Sequence, residues 1–145
     1  MIKRFPKTKG FTLIELLVVI AIIGLLASIV LVSLSGAKKR AQDARIISDM
    51  GQLRSSAEIY QSTNGSYSNF CNSGDATTLK TDILAQLPST KQGTYNCQVA
   101  SNGSSYCVEV QLNSDSWWCV DSNLRSQQYT NNPSCDTSQN SKSCQ

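Results

Sequence analysis

The chain has 145 residues, 40% of them hydrophobic, with 13 Lys or Arg against 10 Asp or Glu, six Cys and no His. Without His, every Cys-His or Ser-His nucleophile pair and every zinc site built on both Cys and His is excluded, and no Cys-x-x-Cys occurs, so the cysteines read as disulfides. The formal charge of +3 sits at the start: beyond Arg40 six basic residues face nine acidic ones, which argues against general nucleic-acid binding, since counterion release needs a basic face.

Residues 1–10 are a short leader carrying Lys3, Arg4, Lys7 and Lys9. Phe11–Leu34 is then a 24-residue apolar run, GFTLIELLVVIAIIGLLASIVLVSL with its preceding Gly10, which as a helix of roughly 36 Å crosses a hydrocarbon core of about 30 Å with some tilt. One residue does not fit. Glu15 is a lone carboxylate in this run, and a charge near mid-bilayer costs about 2.5–3.5 kcal/mol even on lenient insertion scales, so it needs a partner. Cleavage between Gly10 and Phe11 would create an α-amino group one helical turn away, on the same subunit or on a neighbour in a packed array. The plainer alternative is that Glu15 bonds its own helix terminus. A secretory signal fits poorly, because its apolar stretch is shorter, about 7–15 residues, and a small-x-small cleavage site should follow.

A basic leader ending in Gly10, then Phe11-Thr12-Leu13-Ile14-Glu15 and an unbroken apolar helix, resembles the class III signal of type IV pilins and type II secretion pseudopilins. By that resemblance Gly10 is the last leader residue removed by a prepilin peptidase. Phe11 becomes the N-methylated first residue and Glu15 the carboxylate that sets intersubunit register. The resemblance is specific over roughly Lys7 to Leu34 and holds only in layout farther on. Small residues at Ala21, Gly24, Ala27 and Ser28 permit close helix packing in such a bundle.

Beyond the span, residues 35–64 continue the helix. Apolar or small residues recur at Ala37, Ala41, Ala44, Ile47, Met50, Leu53, Ala57 and Tyr60, predicting a packing stripe. The other face is expected to be solvated, with surface pairs Lys39 with Asp43, Arg45 with Asp49 and Arg54 with Glu58. Gly36 and Gly51 are weak points, and Asn64-Gly65 predicts the stop near Thr63. Residues 65–92 form a connecting loop interrupted by a short helix, capped by Asp75, buried through Leu79, Ile83, Leu84 and Leu87, and ended by Pro88. Tyr67 and Phe70 are expected to pack under this loop.

Residues 93–145 switch to a period of two, predicting three antiparallel strands around Tyr95–Val99, Tyr106–Leu112 and Trp117–Val120, with turns at Asn102-Gly103 and Asn113–Ser116. Adjacent Trp117 and Trp118 must face opposite ways, one of them available for an adhesive contact or covered by the tail or a neighbour. Cys71, Cys97, Cys107, Cys119, Cys135 and Cys144 are disulfide candidates. Turn length at Asn102-Gly103 decides whether Cys97 and Cys107 share a face. Cys135 and Cys144, which enclose the polar loop DTSQNSKS, are expected to pair and pin the C-terminus.

Charge does not orient the span, since four cations precede it and Lys38, Lys39, Arg40 and Arg45 follow. Six cysteines after it place the head in an oxidising compartment and the leader inside. The expected fold is α+β, a long helix with a small disulfide-stapled antiparallel sheet. By resemblance the chain is a structural subunit and not an enzyme, stored in the inner membrane and then polymerised into an extracellular or periplasmic filament. Its partners would be further copies, related pilins, the prepilin peptidase, the membrane and inner-membrane assembly machinery. A type II secretion pseudopilin, a minor or DNA-uptake pilin acting as a binding module, and a monomeric anchored domain are the competing readings. No cofactor or metal is expected: some major pseudopilins hold Ca²⁺ near their C-terminal strands, but here Asp115, Asp121 and Asp136 are scattered.

Overall fold

The computed structural model describes residues 10–135 and 143–145. The leader cations Lys3, Arg4, Lys7 and Lys9, Asp136, and all of the predicted polar loop except Ser143 lie outside the described residues. The chain divides into two units, Met1–Ala37 and Lys38–Gln145. Its elements are α1 (Leu13–Asn64), a 3-10 turn (Phe70–Asn72), α2 (Gly74–Gln86), α3 (Ser89–Gln92), β1 (Asn96–Val99), β2 (Tyr106–Gln111), β3 (Trp117–Asp121) and β4 (Ser126–Tyr129).

In the first unit the large apolar side chains from Phe11 to Leu31, and Leu34, are exposed, and this stretch of α1 is long and apolar enough to cross a membrane. Helix α1 passes through Gly36 and Gly51 without a break and ends where Gly65, in the left-handed region at φ 75°, donates its N–H to Gln61 O at 2.7 Å.

In the second unit the buried stripe of α1 is Ile46, Met50, Leu53 and Ala57, at spacings of four, three and four. This corrects the predicted phase at its N-terminal end, where Ala37, Ala41 and Ala44 are exposed and Ile47 is only half-buried. The large side chains decide the helix rotation, because apolar stabilisation scales with area and the alanines supply little of it. The stripe packs with Tyr67, Phe70, Ile83 and Leu87 and with Tyr106, Val108, Val110, Leu112 and Val120 of the sheet. Tyr67, Phe70 and Tyr106 meet in tilted ring contacts with centroids 4.9 and 5.5 Å apart.

Two carboxylates assigned to the solvated face turn out to be buried. Asp43 accepts the main-chain N–H groups of Asn113 at 2.7 Å and Ser114 at 3.0 Å, fastening α1 to the β2–β3 turn in place of pairing with Lys39. Asp49 lies 4.0 Å from Arg45, and burial pushes its carboxyl above the usual carboxylate range, with Arg45 pulling it back and Asp82 adding to the rise. Arg54 donates to Leu124 O at 3.3 Å, while Glu58 accepts from the Tyr67 hydroxyl at 3.1 Å. Burial, and then the bond to Glu58, push the Tyr67 phenol up to about 12. Asp43→Asn keeps one acceptor and turns the other position into a donor facing an N–H. It should lower stability by about 1–2 kcal/mol, read as a lower midpoint in urea unfolding of the oxidised protein.

Helix α2 is capped by Ser73, whose Oγ accepts from the Ala76 N–H at 3.3 Å, and not by Asp75, which lies in the first turn where its charge favours the helix dipole. The sequence predicts three strands; the sheet has four, in the order β1-β2-β3-β4 and antiparallel throughout. Ser-Gln-Gln-Tyr of β4 is polar and mostly exposed, so it carries no alternating apolar signal. Val108, Val110 and Val120 point to the helix side, with Trp118 half-buried among them, and Trp117 lies opposite Tyr129 on the other face.

Register places Cys97 opposite Val108 and Gln98 opposite Cys107, so Cys97 and Cys107 take opposite faces. Cys97 bonds Cys71 on the helix side, tying β1 to the 3-10 turn. On the outer side Cys107 bonds Cys135 and Cys119 bonds Cys144. The predicted Cys135–Cys144 bond is therefore not made. Each tail cysteine reaches a sheet cysteine instead, and the four form a second buried cluster against Tyr129.

Candidate processing and assembly site

Gly10, Phe11, Thr12 and Glu15 meet at the start of α1. Gly10 lies just outside the helix, is exposed, and has open space where a side chain would stand. Phe11 is 81% exposed. Thr12 caps the helix. Its N–H and hydroxyl both donate to Glu15 Oε2, at 2.9 and 2.6 Å, and its Oγ1 accepts from the Glu15 N–H at 3.3 Å. This is a reciprocal capping box, in which two free donors at the helix start are satisfied by side chains three residues apart. In the uncut chain Glu15 thus has its partner within its own first turn. Thr12 was not singled out from the sequence, although the Thr-x-x-Glu spacing before an apolar run is the signal that would have found it.

Farther along α1, Ala21, Gly24, Ala27 and Ser28 are all exposed. Gly24 has nothing within 4 Å of an added Cβ, and the Ser28 hydroxyl donates to Leu25 O at 2.7 Å, so it presents no free donor. The face is smooth, apolar and small, which suits close approach of a second helix.

The cysteines belong to the other unit and offer no chemistry of their own. Cys107, Cys119 and Cys144 bring three sulfurs within 4.8 Å, but all three are in disulfides and none is a thiolate able to bind a metal. Two of the scattered aspartates, Asp115 and Asp121, are also engaged. Asp115 takes the Lys91 ammonium at 2.6 Å, which holds its carboxyl below the usual range, and Lys91 donates as well to Leu112 O at 2.6 Å. Asp121 is occupied by main-chain N–H groups.

The model of the prokaryotic N-terminal methylation motif matches residues 6–31, covering the Gly10-Phe11 junction, the capping box and most of the apolar helix. The type IV wide pilus major component PilA4 of Thermus thermophilus is 38% identical over 100 residues, 69% of this chain and 70% of that protein. A match of that length is longer than the 64 residues that end with α1 and so takes in part of the head. The chain belongs to the type IV pilin and type II secretion pseudopilin family. Type II secretion system core protein G of Klebsiella michiganensis is 42% identical to this pilin-family chain over 64 residues, 44% of the chain and 45% of that protein. The Escherichia coli K12 protein of the same name is 43% identical over 61 residues, 42% of each chain. The chain thus matches less than half the length of these two secretion proteins. No solved structure matches it significantly.

Proposed function

We propose that the chain is a structural subunit of a type IV pilus-like filament, held in the inner membrane by Phe11–Leu34 with its oxidised head outside. A prepilin peptidase cuts between Gly10 and Phe11, Phe11 is N-methylated, and the helices then pack into a central bundle through Ala21, Gly24, Ala27 and Ser28. In this reading 1–10 is the removed leader, 11–34 the anchoring and assembly helix, 35–64 its amphipathic continuation, 65–92 the connection and 93–145 the sheet with its tail. The role is structural and not enzymatic. The observation that carries it is the likeness to a pilus major component over 69% of the chain, with the methylation motif over residues 6–31.

A pseudopilin of a type II secretion machine is the second reading, favoured by the core protein G matches of 42% and 43% identity over 64 and 61 residues. Long surface filaments in cells producing the protein favour the pilus; their absence, with a secretion defect on deletion, favours the pseudopilin.

Processing tests what both readings share. Coexpressed with a prepilin peptidase, the chain should give a mature N-terminus at Phe11 carrying a methyl group by mass spectrometry, and Gly10→Val should accumulate at full length. An uncut chain, or one beginning near Gly36, would overturn both.

A further inference from the structure

The tail is held to the outer face of the sheet by the same device twice. Cys107-Val108-Glu109 on β2 and Cys119-Val120-Asp121 on β3 each present a cysteine and, two residues on and facing the same way, a carboxylate. Cys107 bonds Cys135, whose N–H donates to Glu109 Oε2 at 2.9 Å. Cys119 bonds Cys144, whose N–H donates to Asp121 Oδ2 at 2.9 Å. Both carboxylates are buried, Glu109 at 4% exposure and Asp121 at 0%.

In each, one oxygen is already fixed by contacts outside the tail and the other meets the tail, with the Arg125 guanidinium 4.0 Å from Asp121 Oδ2. Glu109 Oε1 accepts from Asn96 Nδ2 at 2.9 Å on the neighbouring strand. Asp121 Oδ1 accepts from the N–H groups of Asn123 at 2.9 Å and Arg125 at 3.0 Å in the β3–β4 turn. The Arg125 guanidinium also donates to Cys144 O. The carboxylates are thus oriented by contacts that do not involve the tail. Meanwhile the Sγ atoms of Cys107, Cys119 and Cys144 lie within 4.8 Å of one another, so a tail thiol that reaches one strand cysteine stands close to the other as well.

We propose that Glu109 and Asp121 are positioning residues for disulfide pairing: each seats the main-chain N–H of one tail cysteine beside the strand cysteine two residues upstream, directing Cys135 to Cys107 and Cys144 to Cys119 and away from the crossed pairing of Cys144 with Cys107 and Cys135 with Cys119. The chemistry is ordinary thiol–disulfide exchange. One protein thiolate attacks a disulfide oxidant and forms a mixed disulfide, and the second displaces the remaining oxidant thiolate. Each new bond takes two electrons from two protein thiols, which lose two protons, and reduces one oxidant disulfide to two thiols. Seating selects which thiolate makes the second attack.

The two variants are expected to differ. In Asp121→Asn the new NH₂ must face a main-chain N–H, either in the β3–β4 turn or at Cys144, and none of these donors can reverse. In Glu109→Gln the Asn96 amide can turn to accept, so the bond to the Cys135 N–H survives. The test reduces the full-length chain in detergent, reoxidises it with a mixture of reduced and oxidised glutathione, quenches with iodoacetamide and maps disulfides by mass spectrometry.

Wild type should yield Cys71–Cys97, Cys107–Cys135 and Cys119–Cys144. Asp121→Asn should lower the ratio of native to mispaired tail bonds by about tenfold, the effect of one charge-assisted hydrogen bond, with Cys107–Cys144 appearing and Cys71–Cys97 retained. Glu109→Gln should shift it less. A native map in Asp121→Asn at wild-type ratio overturns the proposal even if the variant is less stable. Scrambling of all three bonds, including Cys71–Cys97, also overturns it, since the carboxylate would then act on folding of the whole head.

Discussion

Glu15→Gln is expected to leave the chain at its normal level in the membrane, still cut at Gly10, while filament yield collapses. Removing a charge from the span makes insertion easier, by up to the roughly 2.5–3.5 kcal/mol that a mid-bilayer carboxylate costs. The loss falls on assembly. In the uncut chain Glu15 is satisfied by the Thr12 N–H and hydroxyl at 2.9 and 2.6 Å. Cleavage before Phe11 leaves both groups in place and adds an amine. A neighbour's amine buried beside a neutral amide loses its counter-charge, a penalty of about 3–5 kcal/mol for breaking a buried pair. Thr12→Val keeps the charge and removes only the hydroxyl, so it should lower filament yield partially. Immunoblots of membranes and of sheared filaments read both quantities. Wild-type assembly by Glu15→Gln would leave the Thr12 capping box as the carboxylate's whole role.

Gly103→Ala should destabilise the oxidised head by about 3 kcal/mol or more, from two sources that add. Gly103 sits in the β1–β2 turn at φ 68°, a conformation strained for any residue with a Cβ. An added Cβ would also lie 2.3 Å from Ser68 Oγ and 3.1 Å from Ser66 Cβ, in the segment whose Tyr67 N–H donates to Gly103 O at 2.9 Å. The thermal midpoint should fall by roughly 4–8 °C per kcal/mol for a domain of this size. Ser68→Ala in the same chain removes the closer atom and should recover part of the loss but not the backbone strain. A midpoint unchanged in the single variant would show that the hairpin can withdraw from the 66–68 segment without penalty.

The two ends of the chain were legible to different degrees. From Gly10 to Leu34 the signal is local, since one long apolar run around one carboxylate has few solutions in a bilayer. The existence of α1, α2 and strands β1 to β3 followed from periodicity. The rotation of α1 did not, because small residues lie on both of its faces and the buried stripe has neighbours as polar as Asp43 and Asp49; the partners of Asp43, Asn113 and Ser114, are distant in the sequence. Strand β4 was hidden for a related reason: this edge strand half-buries only Tyr129, so Ser126–Tyr129 has no alternating pattern to show. The tail cysteines were assigned to each other by proximity in the chain. Their actual partners follow from the sheet's outer face, where alternation puts Cys107, Glu109, Cys119 and Asp121 together, and the repeated Cys-Val-acid tripeptide was the one visible sign of it.

The disulfides also determine how far the head can be drawn out under load. With all three closed, a tension path from Cys71 to Cys144 crosses to Cys97, follows ten residues to Cys107, crosses to Cys135 and follows nine more, in place of seventy-three residues of open chain. At about 3.3–3.6 Å per extended residue, that limits the stretched length to roughly 65 Å plus the crosslinks, where the reduced segment would pay out roughly 250 Å. A fibre built from oxidised heads would therefore stiffen after a short extension, whereas one built under reducing conditions would keep lengthening at the same force.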